Sequence, residues 1–272
     1  MAPMSGPTVL ITGSTDGIGR AAALEAARRG AMVVVHGRDG ARVAAVRREI
    51  EALSGAEAQG VIADLASLAE VRRMARELTE SLERLDVLIN NAGVVSRRRR
   101  VSHDGLELTF AVNHLAHFLL TNLLLDLLRE SAPARVVTVS SMVHRGARID
   151  FDDLMGEKRY DGYTAYAQSK LANVLFTTEL SRRTAETGVT AVSLHPGIIR
   201  TKVLHEYFSG GSPVEEGARY VIGPALDARY RDLTGAYFSD GRPEEPDPAG
   251  TDPETARRLW DESVRLAGLP DA

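Results

Sequence analysis

Seven short runs rich in β-branched residues, at 8–12, 31–36, 60–63, 86–90, 135–140, 189–195 and 236–239, alternate with stretches of helical periodicity, and this alternation most restricts the fold. Runs of four to seven residues without polar alternation are the pattern of strands buried on both faces. Apolar residues recur at three- and four-residue spacing over 17–29, 41–53, 68–82, 106–130, 163–186 and 214–228, which predicts the intervening helices. Strand–helix–strand units close by right-handed crossovers into a parallel sheet. The expected class is therefore α/β, a single-domain doubly wound parallel sheet of about seven strands with helices on both faces and ligands at the carboxyl ends of the strands. With no linker and no internal repeat, residues 1–272 read as one domain.

Composition narrows the function. The chain has no cysteine, which excludes disulfides, thiolate metal sites and a cysteine nucleophile. Thirty-three Lys and Arg against thirty-seven Asp and Glu leave a net charge of −4, so no nucleic acid or anionic membrane is attracted globally. The longest apolar stretch, 115–128, is interrupted by His117, Thr121, Asn122 and Asp126 and falls short of the ~18 residues of a spanning helix. Residues 1–7 leave no room for an export signal, so a cytoplasmic location without membrane partners is expected. Metal binding is not expected: His114 and His117 sit at i, i+3 without a carboxylate in the same turn, and His36, His103, His144, His195 and His205 show no ligand spacing.

Irregular stretches at 94–104, 143–163 and 204–214 leave the carboxyl ends of strands and are expected to shape a substrate site. The tail, 241–272, reads as an exposed loop over 241–253 followed by a helix over 254–267 whose Leu259, Trp260, Val264 and Leu266 form one apolar face.

Gly13, Gly17 and Gly19 follow the first strand and open the first helix, where backbone amides and the helix dipole receive a pyrophosphate in the Rossmann type of sheet. Their spacing is not G-x-G-x-x-G, and alone it also describes a tight turn. Tyr166 and Lys170 lie one helical turn apart, a pairing equally common on surface helices. Ser140-Ser141 and Asn90-Asn91-Ala92-Gly93, at the ends of the fifth and fourth strands, bring hydroxyls and amides to the same sheet edge.

Taken in order, Thr12 to Gly19, Asn90-Asn91-Ala92-Gly93, Asn113, Ser141, Tyr166-Ala167-Gln168-Ser169-Lys170 and Pro196-Gly197 with Thr201 resemble the short-chain dehydrogenase/reductase family. The stretch 112–118, the long 141–166 interval and Leu259-Trp260 resemble its retinol-dehydrogenase-like branch, without that branch's membrane anchor. The resemblance implies an oxidoreductase that moves a hydride between a nicotinamide cofactor and a small carbonyl or alcohol. Tyr166 would be the general acid/base, Ser141 would bind the reacting oxygen, and Lys170 would favour tyrosinate and hold the ribose. Asn113 would interrupt its helix and hold a water leading to Lys170. A free phenol, with pKa ~10, is only about 0.1% ionised at pH 7, so Tyr166 needs such help as a base.

The implied cofactor contacts are Gly13, Ser14, Thr15, Gly17, Ile18, Gly19, Arg38, Asp64, Leu65, Asn91, Ala92, Gly93, Tyr166, Lys170, Pro196, Gly197, Ile199 and Thr201. Gly37 stands where a carboxylate would bind the ribose 2′-hydroxyl, and Arg38 follows it, so NADP(H) is favoured over NAD(H). A homodimer or homotetramer through the apolar helices at 106–130 and 163–186 is also expected. The alternative function is a catalytically silent NADP(H)-binding sensor or scaffold. Arg97–Arg100 read either as a solvated run or as a basic rim for an anionic substrate.

Overall fold

The computed structural model describes residues 6–201 and 210–270. In chain order it contains β1 (Thr8–Ile11), α1 (Gly17–Arg28), β2 (Met32–Gly37), α2 (Gly40–Ser54), β3 (Gln59–Ile62), α3 (Leu68–Ser81) and β4 (Val87–Asn90). The helix that follows, α4, is α-helical over Leu108–Phe110, π-helical over Ala111–Leu115 and α-helical again over Ala116–Leu123. The rest comprises α5 (Leu125–Glu130), β5 (Ala134–Val139), α6 (Gly162–Arg183), β6 (Val189–His195), α7 (Val214–Leu226), β7 (Tyr237–Ser239), β8 (Arg242–Glu244) and α8 (Pro253–Ala267).

The strands form one sheet in the order β3-β2-β1-β4-β5-β6-β7-β8, parallel except for the last pair. Chain order reverses at β1, flanked by β2 (Val9↔Val33) and β4 (Val9↔Val87), and this switch point opens the ligand crevice. Successive strand residues face opposite sides. Leu10, Val34, Leu88 and Val136 therefore pack with α3, α4 and α6, while Val9, Ile11, Val35 and Ile89 pack with α1, α2 and α7. Burial on both faces is why the strands read as unbroken apolar runs. Side chains of Asp16, Asp39, Ser67, Asp161 and Asp252 cap α1, α2, α3, α6 and α8 by accepting first-turn amides, each contributing about 1 kcal/mol.

Two features depart from expectation. The tail contains an eighth strand where a loop is predicted. Asp240 (φ 49°) and Gly241 (φ 76°) form a two-residue turn pairing Ser239 with Arg242, the Asp-Gly signature of a tight hairpin. β8 is exposed and carries Arg242, Pro243 and Glu244, a composition that protects a sheet edge. The helix predicted over 106–130 is interrupted at Asn113, as expected, by the π-helical turn Ala111–Leu115, and is broken a second time at Leu124, which was not expected.

The apolar face expected of the tail helix docks on the body as α8, with Leu259, Trp260 and Val264 buried. Trp260 packs edge-on to Phe118 at 4.8 Å and stacks on Phe176 at 5.9 Å, with the Arg183 guanidinium 4.4 Å above its ring. The Ser263 hydroxyl lies 2.9 Å from His114 Nε2, and Arg72 donates to the carbonyl of Ala267 at 2.6 Å. α8 thus covers apolar surface of α4 and α6 that prompted the expectation of a second copy. No helix among the described residues is long and apolar enough to cross a membrane. Of the expected substrate loop at 204–214, residues 204–209, with His205, lie outside the described residues.

Candidate active site

A cleft of about 1100 Å³ runs along the carboxyl ends of β1, β2, β4, β5 and β6. Its floor is the glycine turn. A Cβ on Gly19 would come within 2.3 Å of the Gly13 carbonyl oxygen and 2.5 Å of Asn91 Nδ2, so only glycine fits there. Gly13 (φ 66°) presses against Ala92, where a Cβ would meet the Ala92 backbone at 3.0 Å. The Gly13 amide is already engaged, donating to His36 Nδ1 at 2.9 Å, and the Ser14 amide donates to the His36 carbonyl at 2.9 Å. Gly17 donates to Asp16 Oδ1 at 2.9 Å. The amides of Ile18 and Gly19 have no partner among the described residues, and they point from the first turn of a twelve-residue helix. These two donors and the helix dipole fit a pyrophosphate. Ser14 faces away from the cleft: fully buried, its hydroxyl accepts the His36 amide at 2.9 Å.

Thr15, Asp64 and Leu65 line the cleft as expected. Asp64 Oδ1 accepts the Ala66 amide at 3.0 Å, and Oδ2 faces His103 at 3.8 Å. Arg38 is exposed at the cleft, and no acid engages it among the described residues. Arg42, one turn into α2, reaches back to Asp16 of the glycine turn at 3.1 Å. Gly37 is tightly enclosed: a Cβ there would lie 2.6 Å from Thr15 Cγ2, so the Thr15 side chain would have to shift. Pro196, Gly197 and Thr201 line the opposite wall, with Thr201 Cγ2 3.7 Å from where a Gly17 Cβ would sit. Ile199 also lines the cleft, almost fully buried and close to Gly217.

At the other end of the cleft, Ser141 follows β5 while Tyr166 and Lys170 project from α6. Burial pushes the Tyr166 phenol up to about 12, and the adjacent Ser141 hydroxyl partly opposes that rise. Burial lowers Lys170 to about 8. Its Nζ donates to the Val139 carbonyl at 3.0 Å and lies 5.5 Å from the Tyr166 ring centroid. The expected lowering of the Tyr166 pKa by Lys170 is therefore not what this geometry gives: desolvation outweighs a cation aimed at a backbone carbonyl.

Asn113 lies one layer down, beneath Gly93. Its side chain accepts the Val94 amide at 2.8 Å and donates to the Val94 carbonyl and to Ser169 Oγ, both at 3.0 Å. Its own carbonyl, freed by the π-helical turn, is 3.0 Å from His117 Nδ1. A carbonyl only accepts and burial pulls His117 down to about 3, so Nδ1 carries the hydrogen of a neutral ring. Nε2 then accepts from Thr12 Oγ1 at 3.0 Å, and that oxygen receives the amides of Asn91 and Ala92 at 2.9 and 3.0 Å. His117 is thus a strut between the Asn113 turn and the glycine turn. Among the described residues no cluster of three metal-binding side chains occurs.

The four arginines separate. Arg99 donates to the Met155 carbonyl at 2.9 Å and pairs with Glu157 at 3.4 Å, tying the 94–104 loop to the 143–163 loop. Arg100 lines the cleft, with Val101, Ser102 and His103. Val94, Val95, Met142, Val143 and Ile198 supply an apolar wall around the Tyr166 end. Val94, Val95 and Val143 fall in the loops expected to shape the substrate site, whereas sequence reasoning missed Met142, Ile198, His36, His117 and Arg42; only His36, at the end of a predicted strand beside the glycine turn, carried a positional signal.

Residues 7–210 match the family model for the short chain dehydrogenase. Human retinol dehydrogenase 13 is 43% identical over 98% of this chain and 86% of its own length, and mouse retinol dehydrogenase 14 is 43% identical over 98% and 87%. Among solved structures, an uncharacterized protein of Mycobacterium paratuberculosis superposes with a TM-score of 0.81 at 35% identity, covering 98% of this chain and 97% of that one. The Pseudomonas aeruginosa RhlG/NADP active-site complex gives 0.72 at 27% identity, over 89% and 98%. The glycine cradle, the switch-point cleft and these similarities establish that the chain belongs to the short-chain dehydrogenase/reductase family, in its retinol-dehydrogenase-like branch.

Proposed function

We propose that the protein is an NADP(H)-dependent carbonyl reductase or alcohol dehydrogenase in which Tyr166 is the general acid/base. The observation that carries this reading is the convergence of the Tyr166 phenol, the Ser141 hydroxyl and the Lys170 amine at one end of a cleft whose other end offers glycine-turn amides and an unpaired Arg38. When bound, the nicotinamide supplies or accepts the hydride. The chain does the rest. Ser141 hydrogen-bonds the reacting oxygen where negative charge develops, and Tyr166 moves the proton at that same oxygen. A phenol held at about 12 is protonated at neutral pH, ready to donate to a carbonyl oxygen. Lys170, held near 8 by burial, takes the ribose hydroxyls in place of the Val139 carbonyl. The apolar wall suits a lipophilic carbonyl or alcohol, in keeping with the names of the retinol dehydrogenase relatives. Arg38, without a competing acid, supports the choice of NADP(H). A chain free of cysteine suits a reducing compartment, and we assign it to the cytoplasm.

The test is turnover of lipophilic ketones, aldehydes and alcohols with NADPH and NADH, in wild type and Tyr166→Phe. The variant should lose about 10²- to 10⁴-fold in kcat while binding NADPH normally. A fully active Tyr166→Phe protein would sink the mechanism.

A further inference from the structure

The turn that carries Ser141 is tied to the C-terminal tail through one buried imidazole. His144 is completely buried at the end of the 3-10 turn Met142–His144. Its Nδ1 lies 2.7 Å from the Ser141 carbonyl oxygen, and its Nε2 lies 3.0 Å from the main-chain nitrogen of Asp247, which is 103 residues away in sequence. A carbonyl can only accept and an amide N–H can only donate. One tautomer satisfies both: Nδ1–H donates to Ser141, and the Nε2 lone pair accepts from Asp247.

The tail grips the same turn at further points. Arg145 Nη2 donates to the Glu244 carboxylate and, at 2.8 Å, to the Glu245 carbonyl, while the Gly146 amide donates to Asp247 Oδ2 at 2.9 Å. Tyr237 of β7 packs on the imidazole with ring centroids 4.8 Å apart. Ser141 itself is extended (φ −160°, ψ 158°), and its hydroxyl accepts the Val143 amide at 3.4 Å within this turn. The direction of the Ser141 carbonyl and the aim of its hydroxyl are therefore set by one short, clamped segment.

We propose that His144 is a positioning residue for Ser141, making β8 and Asp247 part of the geometry that meets the reacting oxygen. The inference rests on the role given to Ser141 above. A misplacement of about 1 Å at such a donor costs on the order of 10²-fold in rate, so a strut of this kind has leverage. A second proton on the ring would set an N–H against the Asp247 N–H and break the tie. The charged and titratable groups facing the ring are Arg145, Asp247 and Glu244, with His195 and Tyr237 beside it; burial and Arg145 disfavour the imidazolium, while the two acids favour it.

Two substitutions separate the tie from packing. His144→Phe keeps a ring against Tyr237 and deletes both hydrogen bonds; His144→Gln retains one donor and one acceptor. His144→Phe should lower kcat about 10- to 100-fold with the NADPH Kd within about twofold of wild type, and His144→Gln should recover most of the rate. Should the ring variant misfold, Asp247→Pro removes the amide that Nε2 accepts, at a residue whose φ of −60° already suits proline, and must lower kcat further than Asp247→Ala, which keeps that amide. Imidazole ¹⁵N shifts of the wild-type protein should report a neutral Nδ1–H ring. A His144→Phe kcat within threefold of wild type, a parallel loss of NADPH binding, or an Nε2–H ring would overturn the proposal. A wild-type protein inactive on every carbonyl and alcohol offered would instead overturn the functional reading, and the tautomer would still be measurable.

Discussion

An acid at the end of β2 is the usual device for choosing a cofactor without a 2′-phosphate, which makes Gly37→Asp the obvious substitution for converting this protein to NADH. The structure predicts that it fails. The new Cβ would sit 2.6 Å from Thr15 Cγ2, 3.1 Å from Thr15 Oγ1 and 3.3 Å from Val43 Cγ2. Val43 belongs to the packed underside of α2, so the Thr15 side chain on the glycine turn is pushed instead, at about 1–3 kcal/mol of overpacking strain. That turn also carries the free amides of Ile18 and Gly19, so any gain at the ribose is offset at the pyrophosphate. The acid also neutralises the neighbouring Arg38, removing a charge-assisted contact of ~1.5–3 kcal/mol, or roughly 10- to 150-fold in affinity. Fluorescence titration should show NADPH binding weakened over that range with no gain for NADH, and melting should fall by several degrees. Adding Thr15→Ala removes both colliding Thr15 atoms and should allow NADH to bind better than in the single variant. A Gly37→Asp protein that gains NADH affinity with an unchanged melting temperature would refute the steric argument.

Arg38→Ala should weaken NADPH binding by roughly 10- to 150-fold and leave NADH within about threefold, as read by calorimetric titration; equal losses for both cofactors would move the selectivity elsewhere. Acid stability is set by buried imidazoles: burial lowers His36 to about 4 and His114 and His117 to about 3, below their unfolded value of 6.5. The unfolded chain therefore takes up these protons first, so stability is whole above pH 6.5 and falls as pH drops from 6.5 toward 3, by roughly 2 kcal/mol per imidazole at pH 5. Urea midpoints that stay level between pH 7 and 5 would contradict this. Trp260→Ala, which empties the seat against Phe118 and Phe176, should cost about 3–5 kcal/mol in denaturant unfolding, and a cost below about 1 kcal/mol would show α8 to be loosely held.

Much of the fold was legible because the sheet is covered on both faces: Val33-Val34-Val35 shows no polar alternation since Val34 enters one layer and its neighbours the other. Tyr166 and Lys170 were legible through their company, with Ser140-Ser141 and Asn90–Gly93 ending neighbouring strands in the family's motif order, and the glycines through their place after β1. What escaped was whatever depends on contacts far apart in sequence. His36 meets Gly13 across 23 residues, Thr12 meets His117 across 105, and His144 meets Asp247 across 103. No local pattern announces such pairs, and each imidazole alone looks like a core residue. The interruption at Asn113 was legible only through the family resemblance, since helical periodicity survives one extra residue. The eighth strand is a different failure. Asp240-Gly241 is a strong hairpin signal, overruled by the charge and proline around it.

The placement of α8 has a consequence for behaviour on dilution. A second subunit held on the α4–α6 face would leave as concentration fell, whereas a helix joined to the same chain faces its seat at a constant effective concentration. The brace that α8 gives the helices carrying Asn113, Tyr166 and Lys170 is therefore the same at nanomolar and millimolar protein. Cleaving the chain between Gly250 and Pro253 would exchange that arrangement for the other. Phe118 and Phe176 would lose Trp260, and the bared face would have to find a separate molecule, so activity would then rise and fall with the amount of protein present.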